Sequence, residues 1–294
     1  MQISVVGLGF VGLTLAVVSA KKNFKTIGID IDRKKIEEIS KCSIRFYEPD
    51  LEKLLKNTIK KRQLEVTADF KKINNTDITF ITVGTPSKEN GQIDLSYLTN
   101  AINSVHKTLK NKKKTHTVVI KSTVTPTTLE KIIAPKFKNL KNIILLSNPE
   151  FLREGNAVHD LLNPHLIVIG EKEKNSSYQL KNYYKKFYMK KTDTIVTSYN
   201  TAELIKYANN TFLATKLSFI NSFANICESI PNADIKIISE AIGKDVRIGK
   251  QFLSAGPGFG GSCLPKDLSA LIDFSKKYKL ENSIFQTVKK ILNL

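Results

Sequence analysis

Tryptophan is absent from the 294 residues, methionine occurs twice, and cysteine occurs only as Cys42, Cys227 and Cys263. So odd and sparse a set builds no disulfide framework and no paired Cys-x-x-Cys metal site. No metal is therefore expected, and a reducing cytoplasm suits these thiols best. Long apolar runs are missing too: none approaches the roughly 18 residues of a membrane span, and the start, MQISVVGLGFVGL, lacks the basic flank of a secretory signal. No membrane partner is expected. Arginine is scarce, five of the 46 basic residues, so the formal charge of +19 comes from lysine scattered along the chain beside frequent asparagine. The densest cluster, Asn111-Lys112-Lys113-Lys114, carries none of the interleaved aromatics that a single-strand binding face uses. It reads as a solvated turn, and no specific nucleic-acid partner is expected, although a positive field favours an anionic ligand.

What remains is an ordinary globular composition, 41% hydrophobic and 25% charged, long enough for one large or two average domains. Residues 2–6, 25–30, 77–83, 117–121 and 143–147 read as buried strands. Helical stretches at 13–20, from Asp32, after Pro49, and near 95–109 and 126–135 separate them. Strand alternating with helix predicts a doubly wound parallel sheet of Rossmann-like α/β type. Beyond about residue 200 the pattern turns helical, with a long segment at 201–228, a shorter one at about 234–242 and helix again from Pro265. The expected organisation is an α/β domain over 1–199 and a mostly helical domain over 200–294.

Gly7-Leu8-Gly9-Phe10-Val11-Gly12 follows the first strand and opens a helix. The three glycines suit a tight turn, close approach of a pyrophosphate, and close packing of helix on strand. The helix start offers free N–H groups to phosphate, which gives Phe10 and Val11 a part in binding. Asp30, eighteen residues beyond Gly12, ends the second strand, where a carboxylate can take hydrogen bonds from a ribose diol and repel a 2′-phosphate. The cofactor read from this arrangement is NAD.

Cys263 stands between Gly258-Phe259-Gly260-Gly261-Ser262 and Leu264-Pro265-Lys266-Asp267. Pro265 suits a first helical turn, so the sulfur is expected near a helix N-terminus, where the dipole favours thiolate. Asp267, four residues on, lies on the same side. A nucleophile with an acid–base group beside it is one reading; a structural cysteine at a loop–helix junction is the other.

With these two motifs on the page, the chain resembles the UDP-glucose/GDP-mannose dehydrogenase family from residue 1 to about 290. The resemblance is carried by VVGLGFVGL (5–13), VGTPSKENGQIDLSYL (83–98), KSTVTPTT (121–128), NPEFLREGNAVHDLLNP (148–164), AELIKYANNTFLATKLSFIN (202–221) and GKDVRIGKQFLSAGPGFGGSCLPKD (243–267). It implies a central dimerisation domain behind the cofactor domain and a homodimer through the central helices. It also implies oxidation of a primary alcohol on a nucleotide sugar to the carboxylate with two NAD+ in succession. The form of 148–155 favours UDP-glucose, oxidised to UDP-glucuronate. The same chemistry on UDP-N-acetylmannosamine or GDP-mannose is an alternative, as is a catalytically silent NAD-binding module.

By the same resemblance Cys263 forms a thiohemiacetal and then a thioester, Lys206 stabilises the oxyanion and Asn210 orients the sugar. Asp267 assists proton transfer, and Glu150 with Thr123 manages the hydrolytic water. Thr85, Thr123, Glu154 and Lys266 line the cofactor, with Lys35 near the adenosine ribose. Glu150, Phe151, Leu152, Arg153, Glu154, Lys206 and Asn210 face the substrate, and Phe252, Leu253, Ser254, Ala255, Gly256 and Gly260 wrap it. Arg247 reaches the substrate of a neighbouring subunit. Family members continue into a second Rossmann-like, UDP-binding domain, so the resemblance implies that this domain is not among these 294 residues.

Overall fold

The computed structural model describes residues 1–88, 90–188, 192–257, 261 and 263–292. It divides into two compact units, one made of Met1–Thr85 and Asp94–Leu204, the other of Pro86–Ile93 and Ile205–Leu294. The short Pro86–Ile93 segment, closed by a bridge between Ser87 and Ile93, thus belongs with residues far along the chain.

In the first unit the elements run β1 (Gln2–Val6), α1 (Phe10–Lys21), β2 (Lys25–Ile29), α2 (Arg33–Ser40), α3 (Leu51–Lys60), β3 (Leu64–Thr67), β4 (Ile78–Ile81), α4 (Ser96–Leu109), β5 (His116–Ile120), β6 (Ile143–Ser147), α5 (Ala157–Leu162), β7 (Ile167–Gly170), α6 (Tyr178–Tyr188) and β8 (Thr194–Thr197). The helix α7 (Tyr199–Glu228) begins here and runs on into the second unit. The sheet order is β3-β2-β1-β4-β5-β6-β7-β8. The first six strands are parallel. At Ser147↔Gly170 the direction reverses, and β7 and β8 run parallel to each other but opposite to the rest.

Period-two alternation explains the two faces. Ile3, Val5, Ile78, Phe80 and Val119 point into a core with α1, α3, α5 and α6. Val6, Ile81, Val118 and Ile120 point the other way, into a core with α4. Residues 12–20 of α1 are all buried, as expected of a helix covered on every side. Polar residues within the sheet are paired: Ser4 Oγ meets Thr79 Oγ1 at 2.7 Å, and Thr79 Oγ1 meets His116 Nε2 at 2.8 Å. Burial pushes the His116 imidazole down to about 3, so it stays neutral.

One expected helix is different. Around 126–135 the chain forms a π-helical turn, Leu129–Ile133, passing into a 3₁₀ turn, Ala134–Phe137. Pro135 has no N–H with which to continue an α ladder.

The second unit holds the rest of α7, then α8 (Ile235–Gly243), α9 (Cys263–Lys277) and α10 (Ser283–Ile291). Ala214, Leu268, Ile272 and Val288 form its core. Among the described residues, no helix is long and apolar enough to cross a membrane, and no group of three or more His, Cys, Asp or Glu could hold a metal ion.

Candidate functional site

The first unit contributes a glycine turn at the C-terminal ends of its strands. Gly7 sits at φ +94° and donates its N–H to Ile29 O at 2.8 Å. A Cβ on Gly12 would lie 1.8 Å from Gly7 O and 2.4 Å from Thr82 Oγ1, whereas a Cβ on Gly9 meets nothing within 4 Å. The turn is therefore closed on the protein side at Gly12 and open at Gly9, where α1 begins. The first amides of a helix, here those of Phe10, Val11 and Gly12, have no acceptor within it and suit an anion. Asp30 is buried; its Oδ2 accepts Leu8 N and Lys35 Nζ, each at 2.8 Å, and its Oδ1 accepts Asp32 N at 3.0 Å. A cavity of about 460 Å³ lies here, lined by Gly7, Gly9, Asp30, Ile31, Lys35 and Thr82 among others. Its size, its open glycine and its carboxylate fit the adenosine and pyrophosphate of a dinucleotide.

Loops after neighbouring strands are stitched together beside this turn. Thr82 Oγ1 donates to Gly7 O at 2.8 Å, Ser122 Oγ to Val83 O at 2.6 Å, and Thr85 Oγ1 to Thr123 O at 2.7 Å. The segment after β6 folds back on itself: Glu150, buried, accepts Leu152 N at 2.6 Å. Phe151 packs edge-on against His165. Arg153 gives its backbone N–H and its guanidinium to Asp160, whose carboxyl these bonds hold low against the opposing pull of burial. Glu154 is exposed. Beneath the segment Lys121, buried, donates to Asn148 Oδ1 at 3.1 Å, and Tyr184 OH to the same oxygen at 2.5 Å. Neither Lys121 nor Asn148 was anticipated; a lysine in so lysine-rich a chain carries no signal by itself.

In the second unit, α7 and α9 bring four expected residues onto facing elements. Lys206 and Asn210 are buried, one turn apart on α7. Cys263 is exposed and is the first residue of α9; Asp267, one turn later, is buried. Asn210 Nδ2 donates to Asp267 Oδ2 at 2.6 Å, and the other carboxylate oxygen takes Lys266 Nζ at 2.5 Å. Asn209 Nδ2 donates to Asn210 Oδ1 at 3.0 Å, fixing which way that amide faces. Lys266 also lines a cavity of about 640 Å³ with Lys88, Lys276 and Lys289.

The loop ahead of α9 is held from α7. Lys216 Nζ donates to Ile248 O at 3.0 Å and Gly249 O at 3.2 Å, and Asn221 Oδ1 accepts Gly256 N at 3.0 Å. Leu253 is buried, Phe252 and Ala255 half-buried, and Ser254 and Gly256 exposed. Arg247 is exposed and forked onto Asp245 (Nη2–Oδ2 2.6 Å). Gly260 lies outside the described residues.

Strand order, glycine turn and terminal aspartate define a dinucleotide-binding domain of the doubly wound class, joined to a helical unit with its own cluster of reactive side chains. Residues 1–188 match the NAD binding domain of the UDP-glucose/GDP-mannose dehydrogenase family and residues 200–293 match its central domain; the chain belongs to this family, whose members of known name are NAD-dependent oxidoreductases. The UDP-glucose 6-dehydrogenase of Rickettsia bellii is 42% identical over 289 residues, covering 98% of this chain and 66% of that protein. A UDP-glucose dehydrogenase structure from Pyrobaculum islandicum superposes with TM-score 0.94 at 36% identity, covering 99% of this chain and 68% of the other. A UDP-D-ManNAc dehydrogenase structure from Pyrococcus horikoshii gives 0.88 at 26%, covering 100% and 68%. The chain thus spans just under two thirds of the length of the Rickettsia bellii protein and of another curated relative, the UDP-glucose 6-dehydrogenase of Rickettsia typhi.

Proposed function

We propose that this chain carries the NAD site and the reactive cysteine of a nucleotide-sugar dehydrogenase that oxidises the primary alcohol of UDP-glucose to the carboxylate of UDP-glucuronate. The observation that carries this reading is the Asn210–Asp267 hydrogen bond, which ties the helix bearing Lys206 to the helix that opens at Cys263. Identity to proteins named UDP-glucose 6-dehydrogenase supports glucose as the sugar.

Gly9 and the first amides of α1 hold the pyrophosphate and Asp30 takes the ribose diol. When bound, NAD+ supplies the two-electron acceptor for each oxidation. Lys206, a cation one helical turn from Asn210, stabilises the negative oxygen as the alcohol loses its proton. Cys263 Sγ bonds to the aldehyde carbon and the carbonyl oxygen takes a proton, so the aldehyde is not released. After the second oxidation the carbon is a thioester of Cys263. Glu150 accepts a proton from water, the water oxygen bonds to the acyl carbon, and sulfur leaves as thiolate. Asp267, poised between Asn210 and Lys266, takes and returns the thiol proton.

We further propose a homodimer built on α7. Leu204, Phe212, Phe219 and Ile226 are all exposed at spacings of eight, seven and seven residues, the seam a second helix covers. Three cysteines outside any disulfide suit a cytoplasmic setting.

The reaction is tested by NADH formation with a panel of UDP-glucose, UDP-N-acetylmannosamine and GDP-mannose, comparing the chain with Cys263→Ser. Two NADH per UDP-glucose, lost in the variant, is the expected result. One NADH per sugar with aldehyde released, or turnover undiminished in the variant, contradicts it.

A further inference from the structure

We propose that Glu48 is a positioning residue for the segment that carries Glu150 and Glu154. The role rests on the dehydrogenase reading for its consequence, but not for its geometry.

Glu48 is 4% exposed and reaches across more than a hundred residues of sequence. Its Oε2 accepts Gly155 N at 3.0 Å and its Oε1 accepts Val158 N at 3.1 Å. Gly155, at φ +80°, is where the segment turns into α5. The residue that precedes α5, Asn156, makes no side-chain cap bond. Glu48 thus supplies from elsewhere in the fold an acceptor that a helix usually finds next to itself.

Three further contacts show that the device is braced. Phe46 packs edge-on against Phe10 of the glycine turn, with centroids 5.4 Å apart. Arg45 pairs with Asp32 at 2.9 Å and with Glu38 at 2.5 Å. The strap from Arg45 to Glu48 is therefore fixed to the cofactor turn at one end and to the Glu150–Gly155 segment at the other. On its far side that segment is held by Arg153 on Asp160 of α5. With Gly155 and Val158 both taken by Glu48, the segment and α5 hold together as one unit. Two backbone N–H donors require two acceptors. A carboxylate provides them, while glutamine presents one acceptor and one NH₂ that opposes the second N–H.

The test compares the parent chain with Glu48→Gln and Glu48→Ala by three readouts. Amide exchange at Gly155 and Val158 is expected to rise about tenfold or more, with β1 and α1 amides unchanged, because only a local opening is made easier. NAD affinity is expected to stay within about twofold, since the glycine turn keeps its own bonds. With UDP-glucose, kcat is expected to fall about tenfold or more while the KM for NAD holds, the pattern of a displaced catalytic group rather than a lost binding contact. Unchanged exchange at Gly155 and Val158 in Glu48→Gln overturns the proposal, as does kcat within twofold of the parent. So does a loss spread evenly over exchange, NAD affinity and kcat, since a general structural role would give it. If Glu48→Ala fails to fold, Glu48→Gln alone decides. If the parent itself does not oxidise UDP-glucose, the dehydrogenase reading has failed, and the exchange data still decide whether Glu48 holds this segment.

Discussion

Glycines 9 and 12 stand three residues apart in one motif yet face opposite constraints. A methyl group at Gly12 collides with Gly7 O and Thr82 Oγ1, while one at Gly9 enters open space. Gly9 also has an ordinary extended backbone, φ −79°, so alanine adopts it without strain. Gly9→Ala is predicted to leave thermal stability within about 2 °C and to weaken NAD binding about tenfold or more by filling the phosphate approach, measured by calorimetry and nucleotide titration. Glu203 gives a second test. It is buried and accepts Leu129 N at 2.9 Å, and burial, with Glu130 nearby, pushes its carboxyl up to about 7. Between the usual glutamate range and pH 7 the folded chain binds a proton that the unfolded chain has released. Stability therefore falls as pH rises through that window. Glu203→Gln is predicted to remove this loss, narrowing the difference in denaturation free energy between pH 5 and pH 8 by roughly 2–3 kcal/mol. An unaltered slope contradicts the assignment.

At the scale of elements, α7 carries buried Lys206 and Asn210 and also exposes Leu204, Phe212, Phe219 and Ile226, the proposed seam. Burying Phe212 and Phe219 against a second copy removes two large rings from water, each contributing about 1.5–3 kcal/mol. Phe212→Glu with Phe219→Glu is predicted to give a monomer at concentrations where the parent sediments as a dimer; a parent that is itself monomeric contradicts the seam. These elements differ in how openly the sequence displays them. The strands at 2–6, 25–30 and 143–147 are short stretches rich in aliphatic residues, and the glycine turn with Asp30 eighteen residues beyond Gly12 is a fixed spacing, so both are legible along the sequence. Leu64–Thr67 and Thr194–Thr197 are four residues each, too short to show a period, and the reversal at β7 depends on a single bridge. The side chains that hold loops from a distance, Glu48, Lys216 and Asn221, carry no local mark, because their meaning lies in backbone N–H and C=O groups 32 to 110 residues away.

For the molecule as a whole, an NAD-binding domain is followed in the chain by a helical unit. The scattered lysines, with a formal charge of +19, favour anionic ligands in general without specifying one, and relatives named for different sugars share this fold. The proposed substrate therefore rests on sequence likeness, whereas the proposed covalent role of Cys263 has a direct test. The chain is mixed with NAD+ and UDP-glucose, quenched in acid during turnover and digested, and the peptides are weighed. The account predicts a sugar-nucleotide acyl group on the Cys263 peptide that forms only with NAD+ and disappears as product accumulates. Oxidation to UDP-glucuronate with Cys263 unmodified at every time point, or the acyl group on another residue, contradicts it.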